Sequence, residues 1–299
     1  MNIVISGSTG LIGSQLVSTL AGQGHLVVPL ARSPAGAAAG AVVWDPERGT
    51  IDAQGLERRD AVVHLAARNI ASGRWTPEVK AQIKETRVKG TRLLCEALAR
   101  LSDPPKVLVS ASAIGYYGQR GDELLEEGST PGEGFLAETC REWESATEPA
   151  AGKGIRVVTM RIGVVMSPKG GALARMLLPF RLGLGGPLGS GRQYMSWISL
   201  DDIAGAIVYA LSHEELSGPV NGVAPNPVTN AEFARILGKV LRRPAIFPMP
   251  DFAARLAFGE MADELLLAGA RVAPAKLAAA GYRFQHPDLE TALRAVLAG

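Results

Sequence analysis

The sequence predicts an α/β protein with a doubly wound parallel sheet and a smaller, mostly helical C-terminal domain. Over residues 1–165, six short apolar segments with the composition of buried strands alternate with helical patterns. A glycine-rich turn joins the first of these segments to the first helical pattern. After Ser167, glycine-rich pieces and short helical runs replace the alternation. These three observations together favour a nucleotide-binding sheet followed by a second unit.

The composition excludes several classes of protein. The chain has 299 residues, of which 47% are hydrophobic and 20% charged, as in ordinary globular proteins. The net charge of +2 gives no support for a nucleic-acid or membrane partner. Two cysteines form no metal spacing and no disulfide framework, which fits a reducing, cytoplasmic compartment. The chain enters a strand directly, so we expect no signal peptide, and its apolar stretches are too short to span a bilayer.

The first element combines a strand, a glycine turn and a helix. Residues 3–5 are a β-branched run, and apolar residues at helical spacing follow the turn. Gly7 is expected to allow the tight turn, Gly10 to let a pyrophosphate approach, and Gly13 to pack the helix close to the strand. The helix N-terminus offers free N–H groups to a phosphate. The alternative is a βα turn without a ligand. The residues predicted to line the site are Gly7, Ser8, Thr9, Gly10, Leu11, Ile12 and Gly13. This context predicts a Rossmann-type fold.

The second predicted strand, residues 25–32, indicates which dinucleotide binds. An acidic residue at its end would hydrogen-bond a ribose 2′-OH and favour NAD, whereas a basic residue accommodates a 2′-phosphate. Arg32 stands there with no acid nearby, which favours NADP. The alternative is a solvated arginine on a loop. The Ala- and Gly-rich stretch 34–41 follows.

Further strands are predicted at residues 41–45, 61–67, 106–112 and 155–162, with helices at 76–101 and 135–148. The run 61–67 ends in small residues, which leave room for a flat ring or a phosphate. His64 lies in an apolar run and is interpreted as a packed core histidine rather than a ligand. Parallel strands bring residues 7–13, Arg32, 65–67, 110–112 and 163–165 to one edge, where ligands of such sheets bind.

The remaining chain is predicted to be mostly helical. A helix covers residues 203–211, and Thr229 with Glu232 forms a capping box for a helix that Pro244 stops. Short helices are expected at 252–258, 260–268, 274–280 and 288–297. We expect residues 1–165 to form the dinucleotide-binding domain, to which 195–224 return. Residues 166–194 and 225–299 would form the smaller domain over a substrate cleft.

Several motifs resemble those of the extended short-chain dehydrogenase/reductases, the NAD-dependent epimerase/dehydratase superfamily. The shared motifs are the glycine turn, His64-Leu65-Ala66-Ala67, Val88-Lys89-Gly90-Thr91 and Ser110-Ala111-Ser112 with Tyr117-Gly118. Gly73-Arg74-Trp75, Gly189-Ser190-Gly191-Arg192-Gln193 and Asn221-Gly222-Val223-Ala224-Pro225 are similar to one atypical branch with a C-terminal domain of unknown function. Members of that branch are labelled epimerase-family and sometimes cell-division-inhibitor-like proteins.

The resemblance implies an NADP(H) cofactor and particular contacts. Besides the glycine turn, the implied cofactor-binding residues are Ala31, Arg32, Leu65, Ala66, Ala67, Gln82, Arg87, Ser110, Ala111 and Val164. Arg87 stands where most extended members have Asn, and its guanidinium could reach phosphate or ribose oxygens. The residues implied at the substrate are Arg192, Tyr194 and Trp197, although Trp197 is equally suited to a core.

The superfamily's catalytic pair is missing. The family reaction uses a Tyr and a Lys one helical turn apart, but none of the tyrosines at 116, 117, 194, 209 and 282 has Lys four residues on. Ser112 matches the family's catalytic Ser/Thr, and Tyr116 or Tyr117 could replace the missing phenol. Glu138 or Arg141 could act from the helix. Each of these residues also has a non-catalytic interpretation. Ser112 would only close a turn, the tyrosines would only pack, and the charged residues would only be solvated.

Two functions remain in competition. The first is an NADP(H)-dependent oxidoreductase or epimerase-type enzyme with a rearranged site, acting on an unknown small molecule such as a sugar nucleotide or a carbonyl compound. The second is a non-catalytic NADP(H)-binding sensor or partner-binding protein. Ser112 and the expected cleft favour the enzyme, and the missing pair favours the binder. The sequence predicts neither the substrate nor the oligomeric state, and it contains no metal-binding motif.

Overall fold

The computed structural model describes residues 1–32, 40–71 and 73–298, so most of the Ala- and Gly-rich stretch lies outside the described residues. The strands are β1 (Asn2–Ser6), β2 (Leu26–Ala31), β3 (Val42–Asp45), β4 (Thr50–Ile51), β5 (Ala61–His64), β6 (Val107–Ala113), β7 (Leu124–Leu125), β8 (Arg156–Ile162), β9 (Val164–Met166), β10 (Tyr194–Met195), β11 (Trp197–Ser199), β12 (Gly218–Gly222), β13 (Val228–Thr229) and β14 (Arg271–Val272). The helices are α1 (Leu11–Gly22), α2 (Pro77–Arg100), α3 (Phe135–Ser145), α4 (Glu148–Gly152), α5 (Gly171–Arg181), α6 (Leu200–Ser212), α7 (Asn230–Leu241), α8 (Asp251–Phe258), α9 (Ala275–Ala279) and α10 (Leu289–Ala298).

The main sheet has eight strands in the order β12-β8-β6-β5-β1-β2-β3-β4. All neighbouring pairs are parallel except β3 with β4. The chain starts near the middle, adds strands towards one edge and then towards the other, which is a doubly wound arrangement. The predicted fold class is therefore confirmed.

Two strands of this sheet were not predicted. The sequence of β12 is Gly-Pro-Val-Asn-Gly, which is typical of a turn, yet its backbone pairs with β8. Proline is compatible with this position because β12 is an edge strand. The short antiparallel β4 closes the opposite edge.

Two predicted helices also differ. The helix expected at 135–148 is two helices, α3 and α4, because Pro149 cannot continue α3. The helix expected at 260–268 contains a π-helical turn at Ala262–Leu266.

Both faces of the sheet are buried. Along β1, Ile3 and Ile5 face α1 and α6, and Val4 faces α2; all three side chains are fully buried. Successive side chains of a strand point to opposite faces of the sheet, and here the side chains on both faces are apolar. This is the pattern of a strand that helices cover on both faces. Because helices cover both faces, the ends of the strands are where such a sheet can meet a ligand.

A separate apolar core joins α5, α7 and α10 to β9 and β11 around Trp197 and Phe233. A smaller cluster packs Met261, from the segment after α8, against Trp75 and Leu136. Because Lys80 on α2 also pairs with Glu260 at 2.6 Å, the C-terminal segments contact both α2 and α3. Within the described residues, no helix combines the length and the apolar character needed to cross a membrane.

Candidate functional site

The strand register brings the predicted site segments to one edge of the sheet. Ser6 at the end of β1 lies opposite Leu30 and His64, and His64 lies opposite Ser110. Because these strands are parallel, the segments that follow them leave the sheet side by side. Residues 7–13, 65–67 and the turn after β6 therefore meet at this edge.

The glycine turn is closely packed. Gly7 has φ +69°, and a Cβ atom there would lie 2.9 Å from the carbonyl carbon of Leu65. A Cβ atom at Gly13 would lie 2.0 Å from the carbonyl oxygen of Gly7. The roles predicted for Gly7 in turning the chain and for Gly13 in close packing agree with these distances.

The N-terminus of α1 fits an anionic group. Its N-cap is Gly10; among the described residues no side chain caps it, and no acidic side chain stands in its first turn. The first backbone N–H groups of a helix have no partner within the helix. Open N–H groups and the positive end of the helix dipole are what a phosphate requires, so these residues fit the pyrophosphate of a dinucleotide.

Ser6 and His64 hold the loop after β5 against this turn. Ser6 Oγ accepts hydrogen bonds from the backbone N–H groups of Leu65 (3.1 Å) and Ala66 (3.2 Å). The single hydroxyl proton is then donated to His64 Nδ1, 2.7 Å away, which assigns the Nε2–H tautomer to His64. Burial lowers the pKa of His64 to about 4, so the ring is neutral. His64 is thus the packed core histidine that its apolar context indicated.

Ala31 ends β2, and Arg32 follows it as an exposed residue at the same edge. Gln82 is exposed on α2. Arg87 is held in place, since its Nη1 donates to the carbonyl oxygens of Arg68 and Ile83, both at 3.0 Å. Burial lowers the pKa of Arg87 to about 10, which leaves it charged at neutral pH. The structure therefore shows Arg87 tying α2 to the loop after β5.

A buried ion pair lies beneath the predicted catalytic residues. Arg161 on β8 binds the Glu144 carboxylate of α3 with two hydrogen bonds of 2.8 Å, and its side chain is only 3% exposed. Ser112 Oγ donates to Glu144 Oε1 at 2.7 Å. The hydroxyl proton of Ser112 is therefore used within the protein, whereas its oxygen can still accept a hydrogen bond.

The two tyrosines after β6 have different environments. Tyr117 is fully buried, and its hydroxyl donates to Asn221 Oδ1 (2.7 Å) and accepts from Arg161 Nη1 (3.0 Å). Burial raises the pKa of Tyr117 above its ordinary value. Tyr116 is half-buried, and the Arg161 guanidinium carbon lies 3.4 Å from its ring centroid. Of these two tyrosines, only Tyr116 has a hydroxyl that no described residue hydrogen-bonds.

The other predicted residues are more scattered. Ser110 and Ala111 are buried within β6, and Glu138 and Arg141 are exposed on α3.

Of the residues implied at the substrate, Arg192 is exposed and Tyr194 is half-buried, with the Arg271 guanidinium carbon 5.3 Å from the Tyr194 ring centroid. Val164 is half-buried on β9, next to Trp197 in the β9–β11 ladder. Trp197 is fully buried and donates its indole N–H to a backbone carbonyl. The structure thus corrects the expectation that Trp197 contacts a substrate, because the core encloses its side chain.

The sequence interpretation missed the pairing of Arg161 with Glu144. A signal was present, since Arg161 is a charged residue inside the apolar run of a predicted strand. A charge that is buried requires a partner, but the sequence does not reveal that the partner lies on α3.

Comparison with known proteins identifies relatives over the whole chain. Residues 3–221 match the model of the NAD dependent epimerase/dehydratase family, and residues 249–296 match a domain of unknown function, DUF1731. An epimerase family protein of Mycobacterium bovis is 46% identical over 291 residues, covering 97% of this chain and 96% of that protein. Epimerase family protein YfhF of Bacillus subtilis is 37% identical, covering 100% and 98%.

A solved structure is also similar. The crystal structure of human epimerase family protein SDR39U1 (isoform 2) with NADPH superimposes with a TM-score of 0.92 at 36% identity, and covers 100% of both chains. The family model covers more than two thirds of the sequence, and relatives well above 30% identity extend along its length. The chain therefore belongs to the NAD-dependent epimerase/dehydratase family.

Proposed function

We propose that this chain is an NADP(H)-binding, epimerase-like oxidoreductase that exchanges a hydride with a small carbonyl or alcohol substrate. The observation that carries the proposal is the uncapped N-terminus of α1 behind a turn in which Gly7 and Gly13 leave no space for side chains. The similar human protein, whose crystal structure contains NADPH, supports the choice of cofactor.

The residues present fit such a cofactor at several points. The open N–H groups of α1 would hold the pyrophosphate, and Arg32 would bind the 2′-phosphate of NADP(H) through its guanidinium. The loop of Leu65 to Ala67, fixed by Ser6, would lie along the dinucleotide. We assign Val164 to the nicotinamide end of the cofactor and Gln82 to the exposed rim of the cofactor site. Arg87 positions the loop after β5.

Tyr116 is the residue we assign to proton transfer. When bound, NADP(H) supplies or accepts a hydride at a substrate carbon, and the substrate oxygen must then gain or lose a proton. The Tyr116 hydroxyl can carry that proton because it has no partner among the described residues, unlike the Tyr117 hydroxyl. The Arg161 guanidinium holds the Tyr116 ring in place by a cation–π contact. Ser112 offers its oxygen to a substrate donor.

We assign substrate recognition to the smaller unit, residues 166–194 and 225–299, with Arg192 and Tyr194 facing the substrate. Its core, shared by α5, α7 and α10, supports treating these discontinuous segments as one unit. The buried free thiols of Cys95 and Cys140 suit a reducing compartment, and we place the protein in the cytoplasm.

Replacing Arg32 by alanine is expected to weaken NADPH binding about 30-fold and to leave NADH binding nearly unchanged, since only NADPH carries the 2′-phosphate and a charged hydrogen bond is lost. Titrations followed by cofactor fluorescence would measure both affinities. Arg100→Ala is the matched control, because Arg100 is an exposed arginine in the last turn of α2. An equal loss for both cofactors would rule out the role given to Arg32, and failure of the wild-type chain to bind either would refute the proposal.

Replacing Tyr116 by phenylalanine is expected to lower kcat about 1000-fold without weakening NADPH binding, because one proton-transfer group is lost. NADPH oxidation would be measured on any sugar nucleotide or simple carbonyl compound that the wild-type chain reduces. Tyr209→Phe removes a hydroxyl from the C-terminal half of α6 and serves as the control. Unchanged turnover in Tyr116→Phe would exclude the assignment. Tight NADPH binding without turnover of any compound would point to the non-catalytic sensor.

A further inference from the structure

A cavity of about 470 Å³ lies between α1 and α6, outside the glycine turn. Its volume falls in the range of small-molecule sites, which is roughly 300–1,000 Å³. Its walls come from one side of each helix and from Gln285 in the C-terminal part of the chain. Most of the side chains that line it are polar, whereas most ligand cavities have a mainly apolar lining. We call it the α1–α6 cavity, and its lining indicates a polar ligand.

The wall that carries Gln285 is fixed on α6. A Cβ atom at Gly205 would lie 2.5 Å from the hydroxyl oxygen of Tyr282, so the glycine lets this segment approach the helix. The same hydroxyl donates to the carbonyl oxygen of Asp202 at 2.9 Å. The buried Asp202 carboxylate accepts from the backbone N–H groups of Gln285 (2.7 Å) and His286 (3.0 Å). The walls of the cavity are therefore held together before any ligand binds.

One end of the cavity carries a carboxylate. Of the described residues that line the cavity, Asp201 alone has a permanently charged side chain. Its Oδ1 accepts from Gln15 Nε2 at 2.9 Å, and its Oδ2 stays 4.0 Å from His286 Nε2. Asp201 is not needed as the cap of α6, because Ser199 Oγ accepts from the N–H of Asp202. The Asp201 side chain is 43% exposed, so its Oδ2 is available to a ligand.

The other end has an aromatic wall with an open nitrogen. The His213 ring stacks on the Tyr209 ring, with centroids 3.4 Å apart and planes inclined by 14°. His213 Nδ1 lies 2.8 Å from the carbonyl oxygen of Tyr209. Because a carbonyl only accepts, Nδ1 carries the proton, and in the neutral ring Nε2 is an acceptor. Among the described residues, none hydrogen-bonds this Nε2, so it can accept from a ligand.

Polar side chains of α1 connect the two ends. Gln15, Thr19 and Gln23 follow one another at intervals of four residues on α1 and its C-cap, and residues four apart lie on one side of a helix. Gln15 uses its Nε2 on Asp201, and Thr19 uses its proton on the Gln15 carbonyl oxygen at 2.9 Å. The side-chain oxygens of both residues can still accept. Twelve residues separate Asp201 from His213, which is about 18 Å along a helix. Acceptors thus follow an elongated cavity.

We propose that the α1–α6 cavity binds a linear polyamine, an elongated cation with N–H donors spaced along its length. One ammonium group would pair with the Asp201 carboxylate, and further N–H groups would meet Gln15, Thr19 and His213 Nε2. The net charge of +2 gives the chain no general attraction for cations, so the local arrangement must supply the selectivity. This inference is independent of the proposed function, since no residue of the glycine turn lines the cavity.

Titration of the ¹⁵N-labelled full chain with spermine, followed by amide NMR signals up to about 20 mM, tests the proposal. We expect a Kd below about 1 mM, with the shifted signals within residues 15–23 and 201–213. Butylamine, which has a single amine, should bind at least about 10-fold more weakly, because it reaches only part of the acceptors. Acetate should not bind, because the cavity offers it a carboxylate and no cation.

Asp201→Asn is expected to weaken spermine binding at least about 10-fold, since a charged hydrogen bond is lost. The matched control is Asp251→Asn, which neutralises an exposed carboxylate in the first turn of α8 and should leave the Kd unchanged. His213→Phe keeps an aromatic ring on Tyr209 but removes the acceptor, and should weaken binding about 5-fold. This variant carries the test if Asp201→Asn fails to fold, which circular dichroism would reveal.

Three results would overturn the proposal. The first is the absence of shifts at about 20 mM spermine in the wild-type chain. The second is a set of shifts outside the α1–α6 cavity. The third is wild-type affinity in a folded Asp201→Asn or His213→Phe chain.

Discussion

Replacing Arg161 by methionine is expected to lower the free energy of unfolding by about 4 kcal/mol. Methionine fills much of the space of the arginine stem but removes the two hydrogen bonds that Arg161 donates to the Glu144 carboxylate. It also removes a donor to the Tyr117 hydroxyl. Breaking a buried ion pair from one side is costly because the remaining charge has lost both its partner and its water. Urea denaturation followed by circular dichroism would measure the loss.

Two variants distinguish a buried-charge effect from general damage. The double variant Arg161→Met/Glu144→Leu removes both charges and should recover most of the lost stability. Lys89→Met breaks the exposed Lys89–Glu85 pair and should cost no more than about 0.5 kcal/mol. If Arg161→Met were no more destabilising than Lys89→Met, the ion pair would not be the support of the site that its geometry indicates.

The ion pair also bears on the proton transfer proposed for Tyr116. Arg161 holds the Tyr116 ring through its guanidinium and the Ser112 hydroxyl through Glu144. The superfamily sets a lysine beside its catalytic tyrosine on one helix, and here the positive charge near a phenol comes from strand β8 instead. The site lacks the tyrosine–lysine pair on α3 but still has a cation beside a tyrosine. This arrangement favours the proposed enzyme over a non-catalytic NADP(H)-binding protein.

The sequence was most informative where the signal is local. The β1–turn–α1 unit was predicted because strand composition, glycine spacing and helical periodicity occur within one stretch. The same local reasoning placed β2, β3, β6 and β8 to within a residue at each end. It missed β12, because the pairing with β8, and not the residues of β12, makes that segment a strand.

The candidate site was less predictable because its contacts are distant in sequence. Glu144 is 17 residues from Arg161, and Tyr117 is 104 residues from Asn221. The sequence placed Tyr116 and Tyr117 together as candidate phenols, and only the fold separates the buried hydroxyl from the free one. Trp197 shows the same limit, since an indole beside a glycine-rich loop suits a ligand or a core equally well, and packing alone decides.

Replacing Gly13 by alanine is expected to weaken NADPH binding at least about 100-fold and to destabilise the chain by about 3 kcal/mol. The added Cβ would lie 2.0 Å from Gly7 O, 2.8 Å from Gly7 C and 2.9 Å from Ser8 Cα. All three are backbone atoms, so no side-chain rotation relieves the contact. The turn must move away from α1, and the N–H groups assigned to the pyrophosphate move with it.

The same helix supplies the control for this prediction. A Cβ at Gly22 meets no atom within 4 Å, so Gly22→Ala should leave NADPH binding unchanged and stabilise α1 by about 0.5–1 kcal/mol through helix propensity. Cofactor fluorescence and urea denaturation of both variants give the comparison. Wild-type NADPH affinity in a folded Gly13→Ala chain would mean that the cofactor does not rest on this turn. A large loss confined to Gly13→Ala would instead locate the cofactor at the close contact between α1 and the glycine turn, because the two variants add the same methyl group to the same helix.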